Sequence, residues 1–240
     1  MDTNHADRVN LMTNKGQTIE IRLEINPRAR RISLKIDSKK REAVAIAPHR
    51  KFKKAALDFA QERIDWIRSR LDELPAQQLL TIGSSTPLRG ELHLIQTAQQ
   101  GRSVYIDDAS KPFKIMVPGK ADLAPAKVIG FYKAAARADL MRHVNKHAKI
   151  LNVQPASISI KDTKTRWGSC SSKNNLNFSW RLICAPTFVL DYVAAHECAH
   201  LLEMNHSPRF WSHVARCIPD VRPAKNWLNA NGRSLHAIGS

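Results

Sequence analysis

The stretch His196-Glu197-Cys198-Ala199-His200-Leu201-Leu202-Glu203-Met204-Asn205-His206 decides how the rest of the chain is read. On a helix, residues four apart stand one above the other, so His196 and His200 present their imidazoles on one face. Two neutral imidazoles at that spacing can hold a zinc ion. Glu197, one residue round, can reach a water on the ion without joining the coordination shell. His206, six residues after His200, supplies a third ligand if the chain leaves the helix and folds back. Asn205 is the expected pivot, because Asn tolerates the left-handed conformation that ends helices. Ser207-Pro208 then reads as an N-cap followed by Pro at the first helical position, which starts a new helix at once. Glu203 lies almost two turns after His196, on the ligand face, and is expected beside a ligand His rather than on the ion.

A second pair at the same spacing, His143 and His147, lacks an adjacent Glu, has Lys146 beside it and flanks the apolar Leu140, Val144 and Leu151. It is read as an ordinary part of a helix. The four cysteines (Cys170, Cys184, Cys198, Cys217) form no Cys-x-x-Cys pair, so neither a disulfide framework nor a zinc knuckle is indicated. Cys198 points away from the ligand face and is read as a small buried apolar residue. No run approaches the length of a membrane span, and Met1 to Asn10 is polar without an export signal. A cytoplasmic location and no membrane contact are therefore expected.

The 240 residues carry 38 Lys and Arg against 21 Asp and Glu, a formal net charge of +17. The sharpest cluster runs from Arg28 to Lys54, with 11 basic and 2 acidic residues. Such a charge steers a protein toward polyanions, nucleic acid among them.

In chain order, residues 1–17 read as a lead-in. Ile19, Ile21 and Leu23 alternate with polar neighbours, and Ile32, Leu34, Ile36 and then Val44, Ile46 do the same, predicting three short strands in a small antiparallel sheet. After Pro48 the period turns helical, with Ala56, Ala60, Ile64, Ile67 and Leu71 in one stripe. Strand-like pieces return over residues 77–121, and a helix follows from about Pro125 to Ile150. Pro118-Gly119 is the expected boundary, separating a basic, β-rich part with one helix (1–120) from a metal-binding part (121–240). No internal repeat is visible. Leu176, Phe178 and Trp180 alternate after a polar turn at Ser171 to Asn175, which predicts a β-hairpin from Trp167 to Trp180 just upstream of the metal helix.

Arg166-Trp167-Gly168-Ser169-Cys170, the hairpin ending Trp180-Arg181-Leu182, and His196-Glu197-x-x-His200 through Asn205-His206-Ser207-Pro208 to Phe210-Trp211 resemble the YgjP-like metallopeptidases, relatives of the SprT and WLM zinc proteases. The likeness is densest from Lys161 to Trp211. It implies an α+β, zincin-like fold in which His196, His200 and His206 bind Zn2+ and Glu197 acts as base. Metzincins take the same six-residue step to the third His with a Gly at its midpoint, where this chain has Glu203.

The expected activity is zinc-dependent hydrolysis of a peptide or protein, with the hairpin aligning the substrate main chain. Arg166 and Arg181 are candidates for oxyanion stabilisation or for structural ion pairs. Two other readings stay open: a metal-dependent nucleoside triphosphate pyrophosphatase, and a nucleic-acid-binding module in which the metal site is ancillary.

Overall fold

The computed structural model describes residues 7–38, 40–163 and 165–239. Residues 1–6 of the expected lead-in and Lys39 of the first basic cluster lie outside the described residues. The chain forms two compact units, Met1–Ala76 and Gln77–Ser240. The division therefore falls well before Pro118-Gly119. The reason is a shared core: Leu88, Ile95, Ile115 and Val117 are buried in one cluster with Val128, Tyr132, Leu190 and Val193.

In the first unit, β1 (Asp7–Met12), β2 (Thr18–Ile25), β3 (Ser33–Asp37) and β4 (Glu42–Ala47) make one sheet in the order β1-β2-β4-β3. Part of the expected lead-in is thus a strand. Val9 and Leu11 pair opposite Ile21 and Ile19, an apolar signal too short to stand out among charged neighbours. The sheet is also mixed rather than wholly antiparallel. β3 runs outside β4, which leaves β4 parallel to β2 with Ile21 opposite Ala43 and Ile25 opposite Ala47. The helical stripe is interrupted at Arg63 (φ −108°, ψ 18°), giving α1 (Lys53–Glu62) and α2 (Ile64–Asp72). Its apolar face behaves as expected: Ala56, Ala60, Ile64 and Ile67 are buried with Ile21, Leu23 and Ala45.

The second unit opens with β5 (Ser85–Leu88), β6 (Glu91–Ala98), β7 (Tyr105–Asp107) and β8 (Phe113–Pro118), ordered β5-β6-β8-β7. This is the plan of the first unit again. The outer pairs are antiparallel, the central pair is parallel, and the last strand leads through a three-residue 3-10 turn straight into a helix. The spacing from the last strand to the helix is the same in both copies, while the residues differ, so sequence alone showed no repeat. Here the helix is α3 (Ala124–Leu151), closed by Asn152 in the left-handed conformation.

Beyond α3 come β9 (Ser157–Lys161), β10 (Gly168–Cys170) and β11 (Asn175–Ser179), ordered β10-β11-β9. β10 and β11 form the expected hairpin, with Gly168 opposite Phe178, and β9 adds in parallel to β11. Phe178 and Trp180 are buried, each contributing about 2–3 kcal/mol of hydrophobic stabilisation. Three helices complete the unit: α4 (Thr187–Ala199), α5 (Pro208–Cys217) and α6 (Arg222–His236). No helix among the described residues is long and apolar enough to cross a membrane.

Candidate metal centre

α4 is apolar nearly all round, because it is sandwiched: Leu190, Val193, Ala194, Cys198 and Ala199 are buried, and α3 and β10 both pack on it. His196 lies in its last turn and His200 caps it in right-handed geometry, so the two imidazoles still share a face. The expected left-handed pivot is absent, since Asn205 is not among the described residues with positive φ. Its side-chain oxygen instead accepts a hydrogen bond from the Ser207 N–H at 3.0 Å, an Asx turn that reverses the chain. Ser207 then caps α5 through the Phe210 N–H at 3.3 Å, with Pro208 in the first turn, as the sequence pattern requires.

The reversal brings three rings together. His196 Nε2 lies 3.2 Å from His200 Nε2 and 3.1 Å from His206 Nε2. Nitrogens about 2.0–2.1 Å from a tetrahedral ion would be separated by roughly such a distance. The three side chains form one of two groups among the described residues whose donor atoms are close enough to share an ion. The donor chemistry fits as well. His200 Nδ1 lies 3.1 Å from the Glu203 carbonyl, and donating its proton there leaves the lone pair on Nε2. Glu203 thus does stand beside a ligand His, through its backbone. Burial first, then His200, His206 and Lys225, hold the His196 imidazole down at about 3, so it stays neutral and able to donate electrons at ordinary pH. Phe210, fully buried, packs its ring 4.5–4.8 Å from all three imidazoles and closes the site from behind.

Glu197 is 4% exposed and its Oε2 has no hydrogen-bond partner. Burial pushes its carboxyl up to about 8 against the opposing pull of Arg166. The side chain lies directly over β10. A Cβ built on Gly168 would stand 2.6 Å from Glu197 Cγ and Cδ, so only glycine leaves room for this carboxylate.

Arg181 does not face the site. It is buried, pairs with Asp162, donates to the Ile238 carbonyl at 3.0 Å and lies 4.4 Å over the Trp180 ring, which settles it as a structural ion-pair partner. Trp167 stacks on His236 with ring centroids 4.0 Å apart. Lys225, which sequence reasoning did not single out, reaches the neighbourhood from α6. Its ammonium sits 4.7 Å from the Trp211 ring, itself 6.0 Å from His196 and His206.

The second group joins His143 and His147 of α3 to Asp191 of α4. Here one carboxylate oxygen meets His143 Nδ1 at 2.6 Å and His147 Nε2 at 2.7 Å, while Lys146 Nζ lies 3.2 Å from the other oxygen. Direct hydrogen bonds and a resident ammonium leave a cation little to do. The cluster ties α3 to α4 one turn before His196.

A family model described as YgjP-like, metallopeptidase domain, matches residues 30–231. The chain belongs to the YgjP-like metallopeptidase family. It is accordingly a metal-dependent peptidase in broad class, with an α+β fold. No curated protein matches. Among solved structures, the metallopeptidase zymogen abylysin of Pyrococcus abyssi is similar at 22% identity and a TM-score of 0.34, over 38% of this chain and 90% of that one.

Proposed function

We propose that this family member is a zinc-dependent peptidase in which His196, His200 and His206 hold the ion through Nε2 and Glu197 serves as general base. The observation that carries the reading is the convergence of three imidazole nitrogens at 3.1–3.2 Å beside a buried carboxylate. Zinc there supplies a Lewis acid and draws a water toward ionisation near neutral pH. Glu197 takes a proton from the attacking water and returns it to the leaving amine. β10 is the edge of its sheet, so an extended peptide can pair along it beside Glu197. Four unpaired thiols support a cytoplasmic setting.

Metal analysis of purified protein tests this. Wild type should carry about one zinc per chain, and His206→Ala should lose most of it. Glu197→Gln should keep the zinc and stop cleaving casein. Full zinc in His206→Ala, or an active Glu197→Gln, refutes the assignment. Lys225 and Arg166 bring positive charge to the site, which favours one rival, attack on a phosphoanhydride. Hydrolysis of nucleoside triphosphates but not casein, abolished in Glu197→Gln, would establish that rival instead.

A further inference from the structure

The two copies of the sheet-and-helix plan provide an internal comparison. In the first copy, β2 and β4 are parallel neighbours and end side by side: Ile25 pairs with Ala47, and the Asn26 N–H donates to the Ala47 carbonyl at 2.9 Å. The segments leaving these ends, residues 26–32 and 48–54, hold seven Lys or Arg and no Asp or Glu. In the second copy the corresponding segments, residues 99–104 and 119–125, hold Arg102, Lys120 and Asp122. The same backbone plan is thus built without the excess charge, so the fold does not require it.

Neutralisation separates the two faces of the first unit. On the sheet, Arg8 pairs with Glu20 and Glu42, Arg22 with Glu42 and Glu24, and Lys35 reaches Glu24. At the strand ends Lys53 pairs with Asp7, but Arg28, Arg30, Arg31 and Arg50 are exposed, and none of these four has an acidic partner within ion-pair distance among the described residues. Among them sits Phe52, 38% exposed, with the Lys51 ammonium 5.0 Å from its ring. Unneutralised cations track a phosphate backbone, and an exposed ring between them offers a stacking platform for a base.

We infer that the strand-end face formed by residues 26–32 and 48–54 is a binding surface for single-stranded nucleic acid, held by its phosphates on the arginines and by a base on Phe52. The surface stands on observations independent of the metal centre, and its test is separable from that of the peptidase reading.

The test is fluorescence anisotropy of the full chain with a labelled oligonucleotide, single- and double-stranded, across about 50–200 mM salt. Wild type should bind the single strand with steeply salt-dependent affinity. Arg30→Glu/Arg31→Glu/Arg50→Glu should weaken it at least ~10-fold and flatten the salt slope by ~2, since each lost phosphate contact removes about 0.7. Phe52→Ala should cost roughly 5–10-fold on the single strand and leave the duplex unchanged. Arg102→Glu/Lys120→Glu, in the second copy, should stay within about twofold of wild type. Glu197→Gln should bind as wild type does. The inference fails if the triple variant binds normally, if the second-copy variant loses as much, or if Phe52→Ala is silent. It fails equally if the protein binds anionic phosphatidylserine vesicles and no oligonucleotide.

Discussion

Replacing Gly168 by Ala tests the centre at the point where it is tightest. The added methyl would stand 2.6 Å from Glu197 Cγ and Cδ, against about 3.4 Å for an ordinary contact, so the carboxylate must retreat by about 0.8 Å. Gly168 does not have positive φ, and the backbone itself accepts alanine. Misplacing a reacting group by about 1 Å costs on the order of 100-fold in rate, and overpacking costs about 1–3 kcal/mol of stability. Gly168→Ala should therefore lower kcat roughly 100-fold with KM and zinc content little changed. The diagnostic partner is Glu197→Ala, whose side chain ends at Cβ and so lacks every atom the methyl would meet. Once Glu197→Ala is in place, adding Gly168→Ala should cost little more, so the losses should be strongly non-additive. The assay is steady-state peptide cleavage on all four proteins with metal analysis alongside. A Gly168→Ala enzyme within about threefold of wild type, or two losses that simply multiply, would refute the contact as the thing that positions Glu197.

Three further outcomes follow from the same unit. Burial alone would raise the Asp191 carboxyl, but the hydrogen bonds from His143 and His147 carry it well below the usual carboxylate range. Its contribution is therefore present above the unfolded value near 3.9 and is lost as pH falls below it; Asp191→Asn should cost about 3 kcal/mol by urea unfolding at pH 7. The His236 imidazole is pushed down to about 4, by burial first and then by Arg181. It stays neutral in the native state where the unfolded chain would protonate, so stability should decline between pH 6.5 and 4 by about 1–2 kcal/mol, allowing for solvent screening. His236→Phe, which can keep a stack on Trp167, should remove its share of that decline and leave the share of His196, and an unchanged slope would contradict the assignment. Lys225→Met should reduce cleavage roughly tenfold while leaving zinc in place, as measured by kinetics and metal content.

The convergence of His196, His200 and His206 was legible because their spacing is local. His196 and His200 are related by helical period, and Ser207-Pro208 announced the next helix seven residues after His200. How the chain turns between them was not legible, since an Asx turn at Asn205 and a left-handed pivot make the same demand on sequence. The crowding of Gly168 under Glu197 is a tertiary contact between a strand and a helix with no periodic trace. Lys225 was hidden similarly, because the pattern of α6 reports only the anchors Trp227 and Leu228. In the first unit the alternation found β2, β3 and β4 but not their order. Alternation says which face is buried and nothing about the neighbour, so the parallel pairing of β2 with β4 was out of reach.

The recurring four-strand plan bears on how this molecule can change over time. In the second copy the trailing helix is 28 residues long and runs beneath α4, whereas its counterpart α1 has 10. One copy carries the long helix that packs on α4, and the other keeps short connections. The two copies thus differ in charge and in length on one backbone plan, so the charge can vary without altering that plan. Exchanging the segments 26–32 and 48–54 for 99–104 and 119–125 should consequently rewrite what the molecule adheres to and leave its hydrolytic rate alone.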